Sequence, residues 1–197
     1  MPMTDITPAL LNGEDLLSPE VSEVRSPYDG SLVGSVPACD TGDLDRAVAV
    51  AVARHRGGPP PAHERAAILD RAALLLSERL DEFALSICRE SAKPIATARV
   101  EAERAVDTLR FSAGVARSLT GEMVAMDASS AGVGKLGFVM RVPVGPVAAI
   151  SPFNFPLNLV CHKIGPAVAA GCPVVLQPAS ATPLTALRIA RLLEEAG

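Results

Sequence analysis

VAAISPFNFPLNLVCHKIGPAVAAGCPVVLQ, residues 147–177, carries the clearest structural signal in the chain. Its first four residues, 147–150, form a short run that is apolar throughout, which is typical of a strand covered on both faces. Apolar residues then recur at helical spacing over 157–170, and Gly171 follows where a helix C-cap is expected. A second apolar run begins after Pro173. The order strand, helix, strand predicts a parallel βαβ unit, whose crossover should be right-handed.

Two polar side chains follow the predicted strands. Asn154 lies in the loop after the first strand, and Gln177 ends the second. Ligands of open α/β sheets bind beyond the carboxyl ends of the strands, so we expect both residues to border a ligand site. Taken alone, an asparagine in a turn more often bonds its own backbone, and its role has to be assigned from the residues around it.

The same stretch resembles the aldehyde dehydrogenase superfamily. The sequence PVGPVAAISPFNFPLNLVCHKIGPAVAAGCPVVLQPASATPLTAL, residues 143–187, matches the family's P-[WF]-N-F-P and V-V-L-K-P-[AS] signatures in their order and spacing. Residues 64–94, ERAAILDRAALLLSERLDEFALSICRESAKP, are similar to the family's early helices and its E-[ST]-x-K-P turn. The resemblance covers nearly the whole chain. It implies an α/β fold that forms the amino-terminal part of the aldehyde dehydrogenase fold, with long helices followed by the start of a Rossmann-like parallel sheet.

The resemblance also implies how the chain is divided. Residues 1–122 would form an amino-terminal arm and the helices of the cofactor-binding domain. Residues 123–142 would form a β-strand excursion that joins the sheet of a neighbouring subunit. Residues 143–197 would form the first, incomplete βαβα unit of the dinucleotide-binding domain. The family's glycine-rich cofactor loop, glutamate base and nucleophilic cysteine are expected beyond the last residue, so the catalytic domain would be absent.

Local signals predict further elements. Residues 1–22 show no periodicity, and we expect them to form a loose arm. Turn residues at 27–30 predict a hairpin over 25–37. Helices are expected to start near Thr41, to cover 63–90 with room for a break near Leu80–Asp81, and to cover 95–119, while two strands are expected within 123–142. Polar residues of the 95–119 helix, such as Glu101, are interpreted as a solvated helix face.

Asn154 is the strongest candidate for a catalytic residue. Aldehyde oxidation through a cysteine adduct develops negative charge on the former carbonyl oxygen, and a fixed amide N–H aimed at that oxygen stabilises the charge. The resemblance assigns this role to Asn154, together with the backbone N–H of the catalytic cysteine. It also places Lys163 near the proton path of the glutamate base, although a helix lysine that extends to solvent fits the sequence equally well. The adjacent His162 is interpreted as a packing residue.

The resemblance implies NAD or NADP as the cofactor. The residues that resemble those passing under the nicotinamide ribose are Ile150, Ser151, Pro152 and Phe153, next to Asn154, and those that resemble the adenosine-ribose contacts are Gln177, Pro178, Ala179 and Ser180. Phe153 would also fit a core position. Most family members have lysine in place of Gln177, and NAD-preferring members often have glutamate in place of Ser180. Loss of the glutamate favours NADP and loss of the lysine disfavours it, so the choice between the two cofactors stays open.

None of the four cysteines has the pattern of a nucleophile or a metal ligand. Cys39, Cys88, Cys161 and Cys172 show neither CxxC nor Cys/His metal spacing, and no metal site is predicted. Cys161 and Cys172 flank an apolar helix, where buried free thiols are common. The side chains of Cys161 and His162 diverge by about 100° around a helix, which disfavours a catalytic dyad.

The composition excludes several functional classes. The net charge is only −4 and aromatic residues make up 3% of the chain, so neither an electrostatic nor a stacking surface for nucleic acid is predicted. Residues 1–11 lack the basic and apolar regions of a signal peptide. The longest apolar stretch, about 164–176, is interrupted by proline and glycine, so no membrane span is expected. Free thiols fit a reducing, cytoplasmic location.

The sequence therefore predicts the amino-terminal fragment of an NAD(P)-dependent aldehyde dehydrogenase. The complete enzyme would oxidise a small-molecule aldehyde to a carboxylic acid and would act as a homo-oligomer, either a dimer or a tetramer. The fragment alone is expected to be inactive. The alternative is a non-catalytic binding or assembly module, or the product of a decayed gene, that pairs with full-length subunits through residues 123–142.

Overall fold

The structure is a computed structural model that describes residues 6–197. Its strands are β1 (Ala9–Leu11), β2 (Glu14–Leu16), β3 (Val21–Arg25), β4 (Leu32–Pro37), β5 (Glu122–Val124), β6 (Gly137–Val139), β7 (Val147–Ile150) and β8 (Val174–Gln177). Its helices are α1 (Thr41–Arg56), α2 (Ala62–Glu78), α3 (Leu80–Ser91), α4 (Ile95–Ser118), α5 (Asn158–Ala170) and α6 (Pro183–Ala196). Two short 3₁₀ turns, Met126–Ala128 and Ser130–Gly132, lie between β5 and β6.

The hydrophobic core lies where α2, α3, α4, α5 and α6 meet. Large side chains such as Leu69, Ile87 and Leu109 are completely buried there. The buried faces also carry many alanines, among them Ala72 on α2 and Ala105 on α4. Because the distance between packed helices depends on the side chains at their contact, these small residues let α2 and α4 approach closely. The resulting layer of helices supports the parallel strand pair.

The predicted βαβ unit is confirmed. β7 and β8 pair in parallel, with Val147 opposite Val174 and Ile150 opposite Gln177. The backbone N–H of Ser151 donates to the carbonyl of Gln177 at 3.0 Å, which extends the pairing to the strand ends. Helix α5 connects the strands and ends at Gly171, whose φ of 81° is left-handed as expected for a glycine C-cap. The loops after β7 and β8 therefore lie side by side at one edge.

Three other sequence predictions agree with the structure. The long helical pattern over 63–90 is interrupted at Arg79, which has a φ of −109° between α2 and α3. β3 and β4 form the hairpin predicted for 25–37, although it begins at Val21. β5 and β6 are the two strands expected within 123–142, and they pair antiparallel. The proposed division of the chain at 122 and 142 stays a prediction.

The prediction of a loose arm over 1–22 is wrong for the part that forms β1 and β2. These strands make an antiparallel hairpin whose two-residue turn, Asn12 and Gly13, has positive φ at both positions (52° and 84°). An Asn-Gly turn is the strongest short-range hairpin signal in a sequence, and it was present here. Residues 1–5 of the predicted arm lie outside the described residues. Among residues 6–197, no helix is both long and apolar enough to cross a membrane.

Candidate active site

The loop between β7 and α5 holds Asn154 at the carboxyl edge of the strand pair. Ser151 is buried directly after β7, whereas Ile150 and Phe153 expose 65% and 64% of their surface. The Asn154 side chain is also exposed. Within residues 6–197 its amide makes no hydrogen bond, so it does not play the local turn role that a lone asparagine usually has. The carboxamide therefore remains available to a ligand.

Glu101 of α4 is buried beneath this loop. Its Oε1 accepts hydrogen bonds from the backbone N–H groups of Leu157 (2.9 Å) and Asn158 (3.2 Å), at the start of α5. Helix N-termini leave backbone N–H groups without partners inside the helix, and a carboxylate there also meets the positive end of the helix dipole. The interpretation of Glu101 as part of a solvated face is wrong, because its side chain is fully buried and caps a neighbouring helix.

Lys93 completes this arrangement from the turn between α3 and α4. Its Nζ forms an ion pair with Glu101 Oε2 and donates to the backbone carbonyl of Asn154 at 2.8 Å. The same ammonium group lies 3.9 Å from the centroid of the Phe155 ring, within the range of a cation–π interaction. One lysine thus contacts the carboxylate below the loop and two consecutive residues of the loop itself.

Glu90 holds the segment after β8 in the same manner as Glu101 holds the segment after β7. This buried carboxylate of α3 accepts from the backbone N–H groups of Leu184 (2.8 Å) and Thr185 (3.0 Å) at the start of α6. Burial raises the pKa of Glu90, and the hydrogen bonds from Thr185 and Leu184 oppose that shift. The hydroxyl of Thr185 adds a hydrogen bond to Ser86 Oγ at 2.9 Å. Helices α5 and α6 are therefore both capped by a glutamate from the helical layer.

The predicted cofactor residues lie along the rim of the two loops, and most of them are exposed, although Ser151 is buried. Ile150, Phe153, Gln177 and Ser180 are exposed, whereas Pro178 and Ala179 are half-buried. Dinucleotide phosphates often lie at a helix N-terminus, but Glu101 and Glu90 already occupy those of α5 and α6. Apolar surface and neutral polar groups on the rim fit the nucleoside parts of a dinucleotide, and its phosphates would have to lie away from both helix N-termini.

Helix α5 carries the remaining candidates. Lys163 is half-buried and His162 is exposed, so the interpretation of His162 as a packing residue is wrong within this chain. Among the described residues, neither side chain makes a hydrogen bond or an ion pair, so no hydrogen bond joins Lys163 to Asn154. Asn158 is buried and accepts a hydrogen bond from the Thr108 hydroxyl at 3.1 Å, which ties α5 to α4.

The cysteines are free thiols, as the sequence indicated. Cys161 and Cys172 are buried, Cys88 is half-buried and Cys39 is exposed. Burial, with a smaller contribution from Glu101, raises the pKa of Cys161 to about 12. A thiol needs a lowered pKa and exposure to act as a nucleophile, so Cys161 is unsuited to that role. Within residues 6–197, His, Cys, Asp and Glu side chains form no cluster of three or more that could hold a metal ion.

Comparison with known proteins shows to which family the chain belongs. The model of the aldehyde dehydrogenase family matches residues 17–197. The chain belongs to the aldehyde dehydrogenase family. An aldehyde-dehydrogenase-like protein of Sinorhizobium fredii is 45% identical over 196 residues, which are 98% of this chain and 37% of that protein. The 3-sulfolactaldehyde dehydrogenase of Priestia megaterium is 43% identical over 187 residues, which are 95% of this chain and 39% of that protein.

Solved structures of aldehyde dehydrogenases have the same fold. The NADP-dependent glyceraldehyde-3-phosphate dehydrogenase of Bacillus halodurans, solved with NADP, superposes with a TM-score of 0.92 at 36% identity and covers 96% of this chain. This chain in turn covers 41% of that structure. The chain thus spans about two fifths of the length of the relatives it matches. The predicted fold, the amino-terminal part of an aldehyde dehydrogenase, is confirmed.

Sequence reasoning selected Asn154 as a candidate and gave no role to Lys93 and Glu101, which hold its loop. Lys93 lies in the E-[ST]-x-K-P turn that contributed to the family resemblance, but that turn was given no role. Glu101 lies on the same face of α4 as Ala98, Ala102 and Ala105, which are all buried. A charged residue within a stripe of alanines at helical spacing is the signal that could have indicated a buried carboxylate.

Proposed function

We propose that this chain supplies the amino-terminal part of the cofactor-binding region of an NAD(P)-dependent aldehyde dehydrogenase that oxidises an aldehyde to a carboxylic acid. The observation that carries the proposal is the exposed carboxamide of Asn154, which has no partner within the described residues and lies on a loop held from below by buried groups. Family membership supports the same reaction class.

Asn154 acts on the substrate oxygen. When a nucleophile adds to an aldehyde, the carbonyl oxygen gains negative charge, and an amide N–H at that oxygen stabilises the charge; Asn154 supplies this N–H. NAD or NADP, when bound, supplies the hydride acceptor. Lys163, nine residues further along the chain, lies on the helix that starts from the same loop and serves as a second catalytic residue that assists proton movement.

The exposed rim binds the cofactor. Ile150, Pro152 and Phe153 form the apolar surface beside the nicotinamide ribose, with the buried Ser151 directly after Ile150, and Gln177, Pro178, Ala179 and Ser180 contact the adenosine ribose. Gln177 offers a neutral amide that donates and accepts hydrogen bonds, and Ser180 places no carboxylate against a 2′-phosphate. Both NAD and NADP therefore remain candidates, and the complete protein is proposed to act in the cytoplasm.

The proposed function is tested in a joined protein. All 197 residues are fused to the part of the Priestia megaterium enzyme that lies beyond its match to this chain, and production of NADH or NADPH is followed with a panel of aldehydes. The joined protein should be active, and the 197 residues alone should be inactive. Asn154→Ala should lower kcat by about 10²- to 10³-fold with little change in the KM for the cofactor. Equal activity of Asn154→Ala and its parent would remove Asn154 from the mechanism.

The β5–β6 hairpin is a candidate assembly surface. Its exposed side chains include Met123 at 72%, Phe138 at 61% and Met140, just after β6, at 68%. Exposed apolar strands present unpaired backbone groups that can extend the sheet of another chain. We propose that this hairpin joins copies of the complete protein into a homo-oligomer. If the joined protein proves inactive but still assembles, the results would favour the alternative hypothesis, a non-catalytic assembly module.

A further inference from the structure

The segment from Asn154 to Asn158 is anchored at both ends by one buried ion pair. Lys93 Nζ holds the carbonyl of Asn154, and Glu101 Oε1 holds the N–H groups of Leu157 and Asn158. The two anchoring side chains also bind each other. The position of the Asn154 backbone therefore depends on contacts that lie more than fifty residues away in the sequence.

The pair is shielded from water. The Glu101 side chain is fully buried and that of Lys93 is 13% exposed, with the half-buried Phe155 ring against the ammonium group. Surface ion pairs contribute little because solvent competes for both partners. A buried charge with its hydrogen bonds satisfied holds a defined geometry instead, and the loss of one partner leaves the other uncompensated. The anchor is thus rigid as long as both charges are present.

An amide that stabilises a developing negative charge has to be held in place before the reaction. A displacement of about 1 Å in such a group can cost about 10²-fold in rate, and supporting side chains supply the needed rigidity. The Asn154 side chain has no hydrogen bond of its own within the described residues, so the contacts that limit where its carboxamide can lie act on its backbone. That backbone is held by Lys93.

We propose that Lys93 and Glu101 are positioning residues for the carboxamide of Asn154. Lys93 fixes the carbonyl of Asn154, Glu101 fixes the start of α5, and their mutual attraction couples the two anchors. The pair thereby sets where the amide N–H meets the substrate oxygen, although neither side chain touches the substrate. This inference rests on the proposed function, because it requires Asn154 to act on a reacting oxygen.

The test uses the joined protein and the variant Lys93→Met, which keeps an unbranched side chain and removes the charge. The kcat should fall by about 10- to 10²-fold, whereas the KM for the cofactor should stay within about twofold of the parent. The matched control is Arg99→Met, which breaks the exposed ion pair between Arg99 of α4 and Asp81 of α3. This control should keep the parent kcat.

A double-mutant cycle separates positioning from general structural damage. If Lys93 acts through Asn154, adding Lys93→Met to Asn154→Ala should lower kcat no further than Asn154→Ala alone, because residues that act as one unit are not additive. An equal loss in both backgrounds would overturn the proposal. So would a Lys93→Met variant with the parent kcat.

Amide hydrogen exchange tests the anchor independently of turnover. In Lys93→Met the amides of Leu157 and Asn158 should exchange at least about 10-fold faster than in the parent, while those in the middle of α2 should not change. Unchanged exchange at Leu157 and Asn158 would overturn the inference. An inactive parent whose exchange responds as expected would contradict the proposed function and leave the anchor supported, so the two failures are distinguishable.

Discussion

At the scale of the residue, Gln177 decides how the proposed site meets a 2′-phosphate. Its side chain is exposed at the carboxyl end of β8, where Ile150 lies opposite in the parallel pair. A phosphate group carries close to two negative charges at neutral pH. A neutral amide offers it an ordinary hydrogen bond, whereas an ammonium group offers a charge-assisted one that is roughly twice as strong.

In the joined protein, Gln177→Lys should therefore strengthen the binding of NADP by about 1 kcal/mol or more. Solvent partly screens the attraction between the lysine and the 2′-phosphate at this exposed position. NAD carries only hydroxyls at this position and should gain much less. The measurement is the Kd of each cofactor by titration at fixed salt. Gln177→Met, which is neutral and of similar length, is the control and should not tighten NADP. Equal tightening of both cofactors would mean that Gln177 does not lie beside the 2′ position.

Thiol reactivity is a second prediction at this scale. With a pKa of about 12, Cys161 is a thiolate in only about one molecule in 10⁴ at pH 8. In the joined protein, iodoacetamide should alkylate the exposed Cys39 and spare the buried Cys161 and Cys172, as peptide mass spectrometry can establish. Partial burial and the negative charges of Asp43 and Asp40 raise the pKa of Cys39. Because the thiolate is the form that reacts, its labelling should accelerate as the pH rises. In denaturant all four cysteines should react.

At the scale of the element, the two carboxylates that cap α5 and α6 explain why this part of the fold was only partly predictable. Hydrophobic periodicity predicts where α4 runs, whereas the general preference of charged side chains for the surface predicts that a glutamate on α4 is solvated. Glu101 departs from that rule because α5, which lies more than fifty residues later, supplies unpaired N–H groups at the point of contact. The buried alanines beside Glu101 could have indicated that its side chain is buried, but only tertiary packing makes the start of α5 its partner.

The β1–β2 hairpin is a different case, because its signal was local. Asn12 and Gly13 adopt the positive φ values that the turn requires, but the flanking strands are only three residues long and alternate too briefly to be recognised. The βαβ unit was predictable because its apolar runs, its breaker residues and its glycine cap all indicated the same arrangement. For Asn154 the sequence predicted the location, in the loop at the end of β7, and not the direction of the side chain.

The raised pKa of Glu90 gives a pH prediction for the cap of α6. Because burial raises this pKa above its ordinary value of 4.5, the folded chain retains a proton that the unfolded chain releases. The free energy of unfolding should therefore decrease as the pH rises from about 4.5 through the folded pKa. Glu90→Gln removes this titration, so the stability of the parent relative to the variant should decline over that window.

Denaturant midpoints of the joined protein and its Glu90→Gln variant, measured at several pH values from 4.5 to 8, test this expectation. The variant Glu103→Gln alters an exposed carboxylate on α4 and gives the effect of the net charge alone. A parent that gains stability over Glu90→Gln as the pH rises would contradict the expected direction, and it would indicate that the hydrogen bonds from Leu184 and Thr185 outweigh burial.

At the scale of the whole molecule, the chain carries surfaces that its own elements do not cover. β7 and β8 form a pair with no further strand on either side within the described residues, and parallel strands are usually covered on both faces and flanked by others. The β5–β6 hairpin adds exposed apolar residues. We expect the 197 residues alone to be poorly folded for this reason, and the joined protein to be well ordered.

The proposed role of the β5–β6 hairpin in oligomerisation can be tested by adding a charged side chain to it. In the joined protein, Phe138→Asp places a carboxylate on the exposed face of β6 and should shift the oligomer toward monomer in sedimentation velocity, because two like charges would meet across a symmetric contact. Ala131→Asp adds the same charge in the turn between β5 and β6 and should leave the oligomer intact. An unchanged oligomer in Phe138→Asp would remove β6 from the interface.

The ion pair between Lys93 and Glu101 has a consequence for how this sequence can change over generations. If Lys93 were replaced first, a carboxylate with no access to water would lose its counter-charge, at a cost of about 3–5 kcal/mol. If Glu101 became glutamine first, its remaining oxygen would still accept from the N–H groups at the start of α5. Lys93, whose side chain is 13% exposed, could then turn outward to solvent. The mutational path between a charged and a neutral anchor therefore runs in one order, with the glutamate changing before the lysine.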